Sequence, residues 1–219
     1  MQAHLIRKTS ITDTVIELEF ELPQPVDFRP GQFARLDIGS GDWRDYTIID
    51  LHERRVRFLV DTGTGGQGPR FADQLQPGAA VDMDIPKGDF VLGDSDSRKV
   101  MVATGTGLAP FIAMVTDAVR RRLPLSIDVI FGCRRQADDL TTRYLPQRSD
   151  SPRVAVEVFL SAEPGRDGYR AGYVTEALAR ECKAPEHTEY YVCGNAGMVE
   201  DVTALLTNRG ARHIFTEPY

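Results

Sequence analysis

Residues 100–115, VMVATGTGLAPFIAMV, set Gly105, Thr106, Gly107 and Pro110 between two apolar runs. The first run has the length and β-branched content of a buried strand. The following PFIAMVTDAVRRR has helical spacing through Phe111, Ile112, Val115 and Val119. A glycine turn at that junction leaves backbone N–H groups free at the positive end of a helix dipole and lets a ligand come close. Pro110 suits the first helical turn, where a missing N–H is no loss. This is an anion site of a kind that holds a pyrophosphate; the plainer alternative is a tight turn with no ligand. The spacing departs from GxGxxG, because Pro110 stands at the third glycine. Where an acidic residue would close the second strand and bind a ribose, FGCRRQ offers Cys133, Arg134 and Arg135.

Other chemistries find little support. Cys133, Cys182 and Cys193 lie far apart and form no CxxC pair, which argues against zinc, an iron–sulfur cluster or a disulfide framework built from this chain alone. His4, His52, His187 and His213 fall in no ligand pattern, and no Ser/His/Asp arrangement is evident. The net charge of −6 is uneven: residues 1–97 carry 10 Lys and Arg against 17 Asp and Glu, residues 98–219 carry 16 against 15. Neither half is basic enough for nucleic acid. No apolar run approaches the ~20 residues that span a bilayer, so membrane insertion is not expected. MQAHLIRKTSITDT lacks the apolar core of a secretory signal, and the expected location is cytoplasmic.

The elements that must position these residues change character along the chain. TVIELEFEL (14–22), QFARLDI, RVRFLVD and AAVDMDI read as short strands, TVIELEFEL with a slip at Ile16-Glu17. Glycine- and proline-rich turns separate them, and no long helical window intervenes, which predicts a sandwich or small barrel. After GDSDSR (93–98), strands and helices alternate: KVMVAT, the helix behind Pro110, LSIDVIFG, ADDLTTRYL as a helix, VAVEVFLS, YVTEALAREC as a helix, EYYVCG, GMVEDVTALLTNRG as a helix and ARHIFTEP. Such alternation implies right-handed crossovers and a mostly parallel sheet. The expected organisation is a two-domain β + α/β chain, with domains at 1–95 and 96–219.

Four segments, RDYT (44–47), GGQGPRF (65–71), GTGLAP (105–110) and CGNAGM (193–198), occur in the order seen in ferredoxin–NADP reductase-like flavoproteins. That family includes reductase components of oxygenases and bacterial flavin reductases, and the resemblance covers nearly the whole chain. It implies an antiparallel flavin-binding β-barrel followed by a parallel-sheet, Rossmann-like domain for NAD(P)H, with both cofactors meeting at a cleft. FAD is the implied flavin, with FMN as the other candidate.

The resemblance also implies site residues. The strand carrying Arg44, Asp45, Tyr46 and Thr47 would line the flavin: Arg44 for phosphate, Tyr46 as an aromatic contact, Thr47 near the ring's N5. Phe58, Leu59 and Val60 would offer backbone groups to the ring, and Gly66, Gly68 and Pro69 would belong to a phosphate cradle. Many relatives carry Ser or Thr at the place of Gly68, so one phosphate contact is missing. Gly105, Thr106, Gly107 and Pro110 would receive the nicotinamide cofactor together with Gly194 and Met198, the latter read chiefly as packing. Cys193 would sit beside the reactive nicotinamide carbon. In the ending HIFTEPY, Glu217 would position the reactive edge and Tyr219 would cover the flavin. Arg134 and Arg135 suit a 2′-phosphate, yet Ala162 stands where NADPH-preferring relatives often carry Arg, and the reading leans to NADH.

The function so implied is a FAD-dependent NAD(P)H oxidoreductase that passes electrons to a separate iron–sulfur protein, such as a ferredoxin, or to an oxygenase component. Two rivals are a free-flavin reductase that uses flavin as a substrate, and a non-catalytic flavin-binding subunit for electron transfer or redox sensing.

Overall fold

The computed structural model describes residues 1–39, 41–146, 152–181 and 185–218. Two compact units emerge: residues 1–92 with 112–114, and residues 93–111 with 115–219. In the first, β1 (Gln2–Ser10), β2 (Val15–Glu21), β3 (Phe33–Asp37), β4 (Trp43–His52) and β5 (Arg55–Asp61) precede a helix, α1 (Gln67–Gln74), and β6 (Ala80–Lys87). The six strands close into an antiparallel barrel in the order β1-β2-β5-β4-β3-β6. Its interior holds Leu5, Leu18, Phe20, Leu36, Phe58 and Met83.

Two features of the strands go beyond what the sequence patterns indicate. The N-terminal segment is itself a strand, β1. In β2 the charged residues are not a solvent face: Glu17 and Glu19 are only 4% and 7% exposed. Arginines on the neighbouring strands roof them, with Arg7 at 2.7 Å and Arg55 at 3.6 Å from Glu19, and Arg57 at 3.6 Å from Glu17. Long arginine stems cover the carboxylates while their heads reach water.

The glycine-rich stretch after β5 leads directly into α1, where a loop was expected. Arg70 Nε donates to the Gly65 carbonyl at 3.0 Å, and Lys8 Nζ reaches the carbonyls of Asp73 and Leu75 at the other end. Cations suit a helix C-terminus, whose last carbonyls lack partners. Ala72 and Leu75 turn inward and join the barrel core.

The second unit contains β7 (Arg98–Thr104), α2 (Ala109–Arg120), β8 (Ser126–Cys133), α3 (Thr141–Tyr144), β9 (Arg153–Leu160), β10 (Tyr169–Ala171), α4 (Val174–Glu181), β11 (Thr188–Gly194), α5 (Ala196–Asn208) and β12 (His213–Pro218). The strands form one parallel sheet in the order β10-β9-β8-β7-β11-β12, a Rossmann-like arrangement. Val100, Val102, Tyr190 and Val192 pack on one face against Ala177 and Leu178 of α4 and Val202 and Leu206 of α5. The helix expected over ADDLTTRYL is broken into a short 3₁₀ turn, Gln136–Asp138, and α3. Asp139 explains the break, since its carboxylate accepts from the Thr141 N–H and hydroxyl, each at 2.7 Å, and restarts the helix there. Among the described residues, no helix is long and apolar enough to cross a membrane.

A buried polar cluster ties the start of this sheet together. Lys99 is 0% exposed, and its Nζ lies 2.7 Å from Glu189 Oε2 and 2.8 Å from Ser95 Oγ. Tyr191 donates its hydroxyl to the same carboxylate at 2.7 Å and accepts from the Gly93 N–H at 2.8 Å. Burial pushes the Glu189 carboxyl up, but hydrogen bonds from Lys99, Ser95 and Tyr191 and the lysine charge outweigh it and hold it below the ordinary glutamate value. A carboxyl depressed on folding contributes stability that is complete above its unfolded pKa and is lost as pH falls through its folded value. Urea midpoints are therefore expected to drop on acidification below about pH 4.5, and a Glu189→Gln variant should show a shallower drop.

Candidate functional site

Strand β4 sorts the RDYT residues by side. In its register with β3, Tyr46 faces Ala34 and Arg44 faces Leu36, whose side chains are in the barrel core. Asp45 faces Arg35, and Thr47 faces Phe33, on the outer side. Asp45 is exposed and paired with Arg35 at 3.3 Å, so it does not join Arg44 and Tyr46. Thr47 is half-buried on the same outer side.

Arg44 and Tyr46 meet α1. A Cβ at Gly68 would lie 2.7 Å from Tyr46 Oη and 3.5 Å from Arg44 Cγ, so the helix packs directly on those two side chains. Burial raises the Tyr46 hydroxyl pKa, against the opposing pull of Arg44, and the phenol stays protonated. Arg44 is 43% exposed at its side chain and reaches Gln67 Oε1 at 3.4 Å. Gly66 caps α1 at its N-terminus, and Pro69 lies in the first turn. On β5, Phe58 and Val60 point into the core, while Leu59 faces the other way. Pairing with β4 runs only from His52 to Ile48, so beyond Phe58 the strand keeps ladder partners in β2 alone. The ladder with β4 thus ends before Leu59 and Val60.

In the second unit, the carboxyl ends of β7, β8, β11 and β12 gather the remaining candidates. The Gly105–Leu108 segment forms a 3₁₀ turn, and Pro110 sits at the start of α2, buried. A Cβ at Gly107 would fall 2.4 Å from the Cys193 carbonyl oxygen and 2.6 Å from Gly194 Cα. Gly194 adopts φ +140°, and a Cβ there would lie 2.5 Å from Thr104 Oγ1. The turn and the end of β11 therefore touch backbone to backbone. Thr106 lies half-exposed between the two glycines. Asn195, absent from the sequence-derived candidates, caps α5: its side chain accepts from the Gly197 and Met198 N–H groups at 3.0 and 3.4 Å. An Asn just ahead of an apolar helical run is the signal that would have found it.

Cys193 is 0% exposed, and its strand register sets it between Ala103 and Glu217. Glu217, half-buried, thus shares a sheet face with Cys193, which the sequence separates by more than twenty residues. Tyr219 lies outside the described residues. Arg134 and Arg135 are exposed just past β8. Arg135 is tied to Asp138 through its backbone N–H at 3.0 Å and its side chain at 3.7 Å. Glu163 accepts from the Gln136 N–H at 3.0 Å and pairs with Arg166 at 3.6 Å. Burial first, then the charges of Asp139, Asp138 and Glu163, push the Cys133 thiol up to about 12.

Comparison with known proteins follows this division. The family described as the oxidoreductase FAD-binding domain matches residues 2–92, and the oxidoreductase NAD-binding domain matches residues 101–204. The ferredoxin–NAD(P)(+) reductase component of the naphthalene 1,2-dioxygenase system of Pseudomonas putida is 26% identical over 96% of this chain and 66% of its own length. The reductase subunit of an aromatic O-demethylase from Amycolatopsis is 31% identical over 82% of this chain and 56% of its own. This chain spans somewhat less than two thirds of the length of such curated relatives. Among solved structures, the Amycolatopsis cytochrome P450 reductase superposes with a TM-score of 0.89 at 26% identity, over all of this chain and 69% of that one. A Neisseria gonorrhoeae ferredoxin NADP+ reductase with bound FAD and NADP gives 0.88 at 20% identity, over 100% and 98%, and so shares the fold. A barrel matched by one family and a parallel sheet matched by the other, in this order and over nearly all of the sequence, make the chain a member of the ferredoxin–NADP reductase-like oxidoreductase flavoproteins.

Proposed function

We propose that this chain is a FAD-dependent NAD(P)H oxidoreductase delivering electrons to a separate acceptor, a ferredoxin or an oxygenase component. The observation that carries this reading is that one chain holds two anion-suited clusters of different build. One is a guanidinium beside a glycine-led helix, on the barrel; the other is a glycine turn packed backbone to backbone, on the parallel sheet. Both fit the implied groups. The Arg44 fork matches phosphate oxygens, and at Gly105 the place a Cβ would take is open space, so a dinucleotide can approach the backbone of the turn closely.

When bound, the cofactors supply the redox chemistry, the nicotinamide giving up a hydride and the flavin accepting it for onward one-electron transfer. The chain's own residues bind and orient. Arg44 takes phosphate, Tyr46 braces α1 through Gly68, and Thr47 offers a hydroxyl to hold or move a proton at the flavin's N5. Gly105, Thr106 and Gly107, with the Asn195-capped start of α5, receive the nicotinamide cofactor. Cys193 and Glu217 shape the edge where its ring would lie.

NADH is the proposed donor, because the carboxylates of Asp138, Asp139 and Glu163 surround the loop that would meet a 2′-phosphate. In an anaerobic titration of the FAD-loaded protein, NADH is expected to bleach the flavin's visible band at lower concentration than NADPH. Bleaching by neither donor would overturn the oxidoreductase reading and favour a non-catalytic flavin-binding subunit. Readier bleaching by NADPH would overturn the donor assignment alone. The free-flavin alternative is favoured by one observation, the engagement of Arg44 by Asp42 within the protein.

A further inference from the structure

Arg44 already has an anion. Its two terminal nitrogens grip both carboxylate oxygens of Asp42, Nη2 at 2.8 Å from Oδ2 and Nη1 on Oδ1. Nη1 also donates to the Trp43 carbonyl at 2.9 Å, and Nη2 reaches Gln67 Oε1 at 3.4 Å. A guanidinium carries five N–H donors, four of them on these terminal nitrogens. All four are therefore engaged within the protein, and a phosphate that takes the two terminal nitrogens end-on must first displace the carboxylate. The Asp42 backbone is held in the β3–β4 hairpin, which keeps its carboxylate within reach of Arg44. The Asp42 N–H donates to the Gly39 carbonyl at 3.1 Å, and its own carbonyl accepts from Ile38 at 2.8 Å.

We infer that Asp42 is an internal competitor for the flavin phosphate, an affinity-setting residue that loosens flavin binding by occupying Arg44. The inference rests on the reading of Arg44 as the phosphate partner. It gives that reading a specific consequence: phosphorylated flavins bind against a resident carboxylate, whereas riboflavin, which lacks phosphate, does not meet it. A carboxylate left nearby after displacement also repels the incoming anion. Both effects act in the same direction.

The test is equilibrium binding of riboflavin, FMN and FAD to the full chain, followed by flavin fluorescence quenching, for the wild type, Asp42→Asn, Arg44→Ala and the double variant. Asp42→Asn keeps the side-chain shape but removes the charge. It is expected to tighten FMN and FAD by about two- to fivefold, the scale of a partly exposed ion pair, and to leave riboflavin unchanged. In the Arg44→Ala background the same change is expected to have a much smaller effect. Weaker FAD binding in Asp42→Asn would show that the carboxylate orients Arg44 rather than competing for it, and would overturn the inference. Equal shifts for riboflavin and FAD would overturn it as well. Wild-type FAD affinity in Arg44→Ala would instead remove the phosphate role of Arg44, and the inference with it. Weak FAD binding in Arg44→Ala together with an unchanged Asp42→Asn would leave that role standing and reject only the competition.

Discussion

Lys99→Met is expected to cost about 3–5 kcal/mol of stability, a large fraction of what holds a domain of this size folded. The ammonium is fully buried, and its partners are Glu189 and Ser95. Methionine fills similar volume but leaves a carboxylate inside the protein with only hydroxyl donors from Ser95 and Tyr191. The uncompensated charge, more than the lost attraction, sets the size of the effect. Chemical denaturation measures it directly, and pH supplies a signature that simple loss of packing would not. Without the lysine, the Glu189 carboxyl is raised rather than lowered, so the variant's deficit should be full near neutrality and shrink as acid protonates Glu189. Pairing Lys99→Met with Glu189→Leu should recover much of the loss, since apolar replacements of buried pairs are often neutral. A single variant within about 1 kcal/mol of the wild type would show that the cluster is hydrated and dispensable.

Gly107→Ala is expected to abolish nicotinamide binding while sparing flavin binding. The added methyl would meet the Cys193 carbonyl at 2.4 Å and Gly194 Cα at 2.6 Å, both backbone atoms that cannot rotate away. The turn must then lift off the end of β11, at a stability cost of about 1–3 kcal/mol typical of overpacking. Thermal unfolding separates the two consequences. FAD should still protect the variant, because its proposed site is built from β4 and α1, whereas NADH should protect only the wild type. Undiminished protection by NADH would remove the Gly105–Leu108 turn from the donor site. Loss of protection by both ligands would show global damage instead.

How much was legible beforehand depends on the range over which a signal acts. Alternation in QFARLDI and AAVDMDI, helical spacing behind Pro110, and the glycines of GTG are local, because each is dictated by side-chain geometry within a few residues. They suffice for the β-then-α/β division and for the turn at Gly105–Gly107. Local chemistry also misled in places. GGQGPRF reads as a loop because glycine is a poor helix former, yet Lys8 from β1 and the contact of Gly68 with Tyr46 hold it as α1. The burial of Glu17 and Glu19 was not legible, because their covering arginines lie on β1 and β5.

By itself, the sequence determined the kinds of element, their order, and the glycines and arginines that suit anionic ligands, since these follow from short-range sterics and residue chemistry. Only the tertiary structure decided which of them meet. Closure of the barrel set Arg44 and Tyr46 on the opposite side of β4 from Asp45 and Thr47. The register of β12 on β11 set Glu217 beside Cys193, and the order of the sheet joined Lys99 to Glu189 across 90 residues. Such contacts arise from strand order and register, which the packing of the whole core selects and no single segment encodes.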